Sequence, residues 1–163
     1  MRVLGIDPGT GRMGWAVVER EGSRETLVKC GCLETKSKSP MPARLKKIFE
    51  VTKELITENA IDEVAVEELF FFKNAKTVMQ VALARGVVIV VAELCERPVY
   101  QYTPLQVKSA VAGFGRADKK QVEYMVKQLL RLKEAPKPDD VADAAAVALT
   151  HLAMGKAYRR MVE

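Results

Sequence analysis

Asp7 closes a short apolar run, Val3-Leu4-Gly5-Ile6, and Glu67 closes a second, Val64-Ala65-Val66. A carboxylate at the end of a buried strand costs several kcal/mol unless something neutralises it. Asp140 and Asp143 stand at i and i+3 at the start of an alanine-rich stretch, so on a helix they share a face. A helix N-terminus favours negative charge and aims both acids at one point. The sequence sets no basic residue beside each of these acids, and like charges gathered together raise one another's pKa. A divalent cation resolves that conflict. Oxygen donors without a Cys/His set select Mg²⁺ or Mn²⁺ over zinc. Two simpler readings stand beside this one: Asp7 as a turn acid for the Pro8-Gly9 bend, and Asp140 as a plain helix N-cap.

The elements that must bring these acids together follow from periodicity. Val3 to Ile6 reads as a buried strand, and Asp7-Pro8-Gly9-Thr10-Gly11 as a turn. Met13 to Glu19 and Thr26 to Thr35 are two more strands, split by Arg20-Glu21-Gly22-Ser23, which suggests an antiparallel meander. Pro40 and Pro42 open a helix whose apolar face carries Leu45, Ile48, Phe49, Thr52, Leu55 and Ile56. Glu63 to Glu67 is a strand. Asn74 to Cys95 is read as a long helix despite its β-branched second half, because alanines surround that half and only Gly86 interrupts it. Val99 to Tyr102 is a last strand. Asp118 with Gln121 forms a capping box for a helix through Leu132, and Asp139 or Asp140 caps a final helix from Val141 to Met154 or beyond. The order βββαβαβαα predicts an α/β fold: a mixed sheet, three antiparallel strands followed by parallel ones, flanked by helices. Sites in such sheets form beyond the carboxyl ends of the strands, where Asp7 and Glu67 stand.

A chain of 163 residues fits one domain, 1–163, with a proper core. The balance is 26 basic against 21 acidic residues; with four acids drawn into one site the remainder carries 26 against 17 (21 less 4). A basic surface around an acidic pocket suits a polyanion with metal at the reaction centre. Cys30, Cys32 and Cys95 are odd in number and at no zinc-like spacing, so they read as reduced thiols of a cytoplasmic protein, Cys95 in the core. The N-terminus shows no signal-peptide pattern, and the apolar stretch Val78 to Cys95 is broken by Arg85 and Glu93, which argues against a membrane span.

Five segments carry more than periodicity. "GIDPGT" with Asp7, "AVEELFFFKN" with Glu67, "ALARGV" at 82–87, "QVKSAVAGFGRADKKQV" at 106–122 and "DDVADAAAVALTH" at 139–151 together resemble the RuvC family of Holliday-junction resolvases, over nearly the whole chain and in the same order. The resemblance implies an RNase H-like fold and a homodimeric, Mg²⁺-dependent endonuclease. Such an enzyme nicks two opposing strands of a four-way DNA junction and leaves 5′-phosphate and 3′-hydroxyl ends. It places the four catalytic, metal-holding carboxylates on Asp7, Glu67, Asp140 and Asp143, choosing Glu67 over Glu68 and Asp140 over Asp139. It implies two Mg²⁺ ions, with Mn²⁺ as a substitute, to activate a water and stabilise the leaving 3′-oxygen. It sets Lys108 and Lys119 against the DNA backbone and Phe70 on an unpaired base, with Lys73, Arg116 and Lys120 as possible helpers. It places the helix from Asn74, with Ala82 and Gly86, at the dimer contact, and adds a branch-migration motor of the RuvA–RuvB type as partner. His151 reads as structural or surface. Three alternatives are weighed: an RNase H-like nuclease acting on ribosomal RNA precursors; an actin-like Mg-nucleotide phosphotransferase, for which the chain lacks room for a second domain; and a junction-binding module without catalysis, against which the intact set of four acids argues.

Overall fold

A computed structural model describes residues 1–68 and 75–162. Five strands form one sheet in the order β3-β2-β1-β4-β5. β1 (Arg2–Asp7), β2 (Arg12–Glu21) and β3 (Arg24–Glu34) are the antiparallel meander, and β4 (Glu63–Glu67) and β5 (Val99–Tyr102) run parallel to β1. The connections from β1 to β4 and from β4 to β5 must each cross over the sheet, and helices do this. α1 (Met41–Glu58) precedes β4, and α2 (Ala75–Leu94) precedes β5. Both pack on one face over Leu4, Ile6, Val64 and Val66. α3 (Pro104–Ala112), α4 (Lys119–Leu129) and α5 (Asp139–Val162) cover the other face over Val3, Ala16 and Ala65.

The strands and the two long helices fall where periodicity puts them. One element was not foreseen: α3 lies between β5 and α4, so the order is βββαβαβααα. Its signal is a second capping box. The Gln106 amide donates to Thr103 Oγ1 at 3.2 Å, and Gln106 Oε1 accepts from the Thr103 amide at 2.8 Å. Pro104 pre-sets the first turn, and Gly113 closes the helix at φ 84. α4 ends at Leu129 rather than Leu132, because Arg131 turns left-handed at φ 54.

α5 lies in the core. Ala142, Ala144, Ala145, Ala146 and Ala148 have no exposed surface, and small side chains let the helix lie flat on the sheet. Two glycines of the sheet complete the contact. A Cβ on Gly5 would stand 2.1 Å from the Ala144 carbonyl, and one on Gly14 would stand 1.9 Å from the Asp140 carbonyl. Gly14 is also the register partner of Asp7. The start of α5 therefore rests against the strand end that bears Asp7. Farther along, buried His151 joins Tyr102 (2.7 Å from its hydroxyl) and Glu63. With its proton on Nε2, the imidazole donates to Glu63 and accepts from Tyr102, so α5 is tied to β4 and β5. Of the two sequence readings of His151, structural or surface, the buried placement fits the first and excludes the second.

Gly5→Ala is expected to cost about 1–3 kcal/mol through overpacking of the α5–sheet contact. Thermal unfolding would show it as a lowered midpoint; an unchanged midpoint would mean the helix does not need this close approach.

Candidate active site

The two parallel strands put their acids side by side. Ile6 pairs with Val66, so the next residues, Asp7 and Glu67, leave the sheet at adjacent strand ends. α5 arrives from the opposite face, and its first two turns carry Asp139, Asp140 and Asp143. These carboxylates feel one another. Burial first, then repulsion from Asp143 and Asp140, pushes Asp7 up to about 7. Burial, then Asp7 and Asp143, pushes Glu67 up to about 8. Asp143 is raised as well, chiefly by burial and despite the pull of Lys119.

Two cations reach the cluster from other elements, which corrects the expectation of missing basic partners for Asp140 and Asp143, while Asp7 and Glu67 make no ion pair among the described residues. Arg12, at the start of β2, places Nη2 3.0 Å from Asp140 Oδ2 and 3.8 Å from Asp139 Oδ1. Lys119, the first residue of α4, places Nζ 2.7 Å from Asp139 Oδ2 and 3.0 Å from Asp143 Oδ2. The Asp118–Gln121 capping box fixes where α4 begins and hence where Lys119 stands. A lysine in the first turn opposes the helix dipole. Burial alone would lower its ammonium pKa, but the hydrogen bonds to Asp139 and Asp143 outweigh that and raise it. Sequence reasoning passed over Arg12 and the supporting role of Asp139. The hairpin register that sets Gly14 opposite Asp7 is the signal that brings Arg12 close.

The donor set fits a hard divalent cation in kind. It offers carboxylate oxygens only, and three of the four acids are driven toward protonation by burial and mutual repulsion. Asp140 Oδ2 is buried and, although near Arg12, accepts no hydrogen bond. Among the described residues the side chains are not drawn round one point as a closed coordination shell. Arg12 and Lys119 share the neutralising role instead.

Beside the acids opens a cleft of about 230 Å³ lined by Glu67, Asp143, Lys108, Lys119, Val107 and Val122. Both lysines singled out in the sequence thus stand next to two of the four acids, and α3 is the element that delivers Lys108. Phe70, with Phe71, Phe72 and Lys73, lies outside the described residues. A larger cleft, about 520 Å³, sits at the opposite end of the sheet among Lys53, Ile61, Leu94 and Arg97, away from the carboxylate cluster.

A mixed sheet in this order, with acids at two central strand ends and at the start of the last helix, defines an RNase H-like protein built round a carboxylate cluster. The particular family follows from its relatives. The family described as "Crossover junction endodeoxyribonuclease RuvC" matches residues 3–151. A crossover junction endodeoxyribonuclease RuvC from Brevibacillus brevis is 54% identical over 151 residues, 93% of this chain and 91% of that protein. The Thermus thermophilus RuvC structure superposes with a TM-score of 0.91 at 39% identity, covering 97% of each chain. T. thermophilus RuvC in complex with Holliday junction substrate gives 0.90 at 40% identity, covering 99% of this chain and 96% of that one. The chain belongs to the RuvC family of crossover junction endodeoxyribonucleases. Neither the ribosomal RNA nuclease nor the phosphotransferase alternative finds support in these relatives.

The raised acids make stability depend on pH. A carboxyl that binds its proton more tightly folded than unfolded stabilises the fold fully below its unfolded pKa, near 4. That contribution is lost as pH rises through about 7 for Asp7 and about 8 for Glu67. In chelator, the melting temperature should therefore fall between pH 5 and pH 9, and Asp7→Asn should flatten the fall. Mg²⁺ should restore stability most at the alkaline end. A wild-type profile as flat as that of Asp7→Asn would contradict the burial and repulsion described.

Proposed function

We propose that this chain is a structure-selective, divalent-metal-dependent endodeoxyribonuclease that resolves four-way (Holliday) DNA junctions by nicking two opposing strands. The ends left are 5′-phosphate and 3′-hydroxyl. The observation that carries this reading is the gathering of Asp7, Glu67, Asp140 and Asp143 at one sheet end beside a two-lysine cleft, in a RuvC-family chain.

In this reading the four acids hold two Mg²⁺ ions, or Mn²⁺ in their place. Bound there, the metal supplies an activated water and charge stabilisation at the leaving oxygen. The protein's own part is placement. β1 and β4 fix Asp7 and Glu67 from one side, and α5 fixes Asp140 and Asp143 from the other. Lys108 and Lys119 hold the strand by its phosphates, an electrostatic and salt-sensitive attraction. An incoming phosphate competes with Asp139 and Asp143 for the Lys119 ammonium, which couples strand arrival to release of the acids. Phe70 is assigned to stacking on an unpaired base, worth about 1–3 kcal/mol.

A four-way junction has approximate two-fold symmetry, so a homodimer presents two equivalent sites. Its interface is assigned to α2. Met79, Leu83, Val90 and Leu94 form an exposed apolar stripe on that helix, and Gly86 lies on it with open space around its Cα. A largely apolar groove of about 380 Å³ between α1 and α2, with Leu45, Phe49 and Val87, continues the stripe. Residues 1–163 act in this account as one nuclease domain. They work on chromosomal junctions in the cytoplasm, beside a branch-migration motor of the RuvA–RuvB type. Among the described residues no helix is long and apolar enough to cross a membrane.

The decisive assay compares a synthetic four-way junction with a linear duplex of the same sequence, with Mg²⁺ and with chelator. Paired nicks in the junction alone, only with metal, are expected; equal cutting of both substrates would indicate a general nuclease. Asp7→Asn should lower cutting by at least about 10²–10³-fold, the scale of removing one transition-state stabiliser, while junction binding persists. Loss of binding as well would make Asp7 a structural residue.

A further inference from the structure

On the side of the acids away from Lys108 lies a second cleft, of about 350 Å³, lined by Gly9, Gly11, Arg12, Arg44, Gln80 and Asp140. Arg44 is its fixed cation. Its Nε donates to Thr35 Oγ1 at 2.9 Å and to the Thr10 carbonyl at 3.2 Å, and its Nη2 lies 3.2 Å from Thr10 Oγ1. Thr10 is itself buried, and the Thr35 amide donates to the Gly11 carbonyl at 2.9 Å. The guanidinium is thus held to a rigid turn. Among the described residues no carboxylate pairs with it; what sets it apart is that its partners are a carbonyl and two hydroxyls, which hold it without neutralising it. Only part of its five-donor fork is used by those three contacts. A Cβ on Gly11 would stand 3.6 Å from Arg44 Nη2, so a side chain there would cover the guanidinium, and glycine leaves it open to the cleft.

Asp140 would repel an anion in this cleft, but Arg12 already stands 3.0 Å from it and balances that charge. Arg44 then gives the cleft a net positive charge. A held, uncompensated guanidinium facing open space suits a phosphodiester, which its fork matches geometrically. Asp140 lines this cleft and Asp143, one turn along α5, lines the other. The acids therefore lie between two cationic clefts.

We infer that Arg44, uncovered by Gly11, binds a backbone phosphate of the cut strand on the side of the nick opposite Lys108 and Lys119. This rests on the junction-nuclease reading and adds a second phosphate contact to it. The strand is then held on both sides of the carboxylates, which aligns the scissile phosphate rather than merely attracting DNA.

The test uses the full-length protein in Ca²⁺ and four-way junctions that carry one neutral methylphosphonate at successive positions along the cut strand. Arg44→Gln should weaken binding of the all-phosphate junction by about tenfold and reduce the log–log salt slope by about 0.9, one phosphate contact. At one position beside the nick, the methylphosphonate should weaken wild type but not Arg44→Gln, since each change removes the same contact. Gly11→Val keeps Arg44 and its threonine bonds and should show the same non-additivity, which guards against a folding defect in the first variant. Additive losses at every position in both variants would overturn the assignment. If wild type itself neither prefers nor nicks the junction, the parent reading has failed instead, and that result is separate from this one.

Discussion

The close seating of α5 on β1 and β2 sets the position of everything that matters in this molecule. Backbone meets backbone at Gly5 and Gly14, where a single added carbon would collide with the carbonyls of Ala144 and Asp140. No side chain intervenes to tilt or lift the helix. Since Gly14 lies opposite Asp7 in the hairpin, this contact fixes the spacing between an acid of the sheet and two acids of the helix. The alanine face of α5 and the buried Tyr102–His151–Glu63 link keep the helix from sliding along the sheet. Packing at this level of fit tolerates little change, because interiors near crystal density have no slack to absorb it.

What that seating creates is electrostatically unfavourable on its own. Asp7, Glu67 and Asp143 all bind protons more tightly than free carboxylates, because burial and mutual repulsion work against their charges. A fold organised only for stability would replace such acids with neutral groups. Arg12 and Lys119 offset the conflict at its exposed rim, through Asp139, Asp140 and Asp143. They do not pair with Asp7 or Glu67, the two acids deepest in the sheet end. The cluster is thus compensated outside and uncompensated inside, an arrangement suited to a hard cation at its centre and phosphates at its edge.

Much of this was legible in the sequence, and the rest was hidden for identifiable reasons. Asp7 and Glu67 announced themselves because an acid ending an apolar strand is locally anomalous. Asp140 and Asp143 followed from helical spacing. α3 was missed although Thr103-Pro104-Leu105-Gln106 spells a capping box, since its apolar residues Val107 and Val111 make too short a face to stand out. Arg12 and the pairing of Lys119 were not legible, because they depend on hairpin register and on the angle at which α4 meets α5. Neither is encoded in local periodicity. Gly5 and Gly14 were visible only as members of strands; that they are contact surfaces requires the helix above them to be seen.

Crystals soaked in Mn²⁺ and measured for anomalous scattering test the central claim most directly. Strong anomalous peaks among the carboxylates of Asp7, Glu67, Asp140 and Asp143, lost in Asp7→Asn, are the result this account requires. A protein that nicks junctions in Mn²⁺ yet shows its ions bound elsewhere, with those four side chains unliganded, would contradict it.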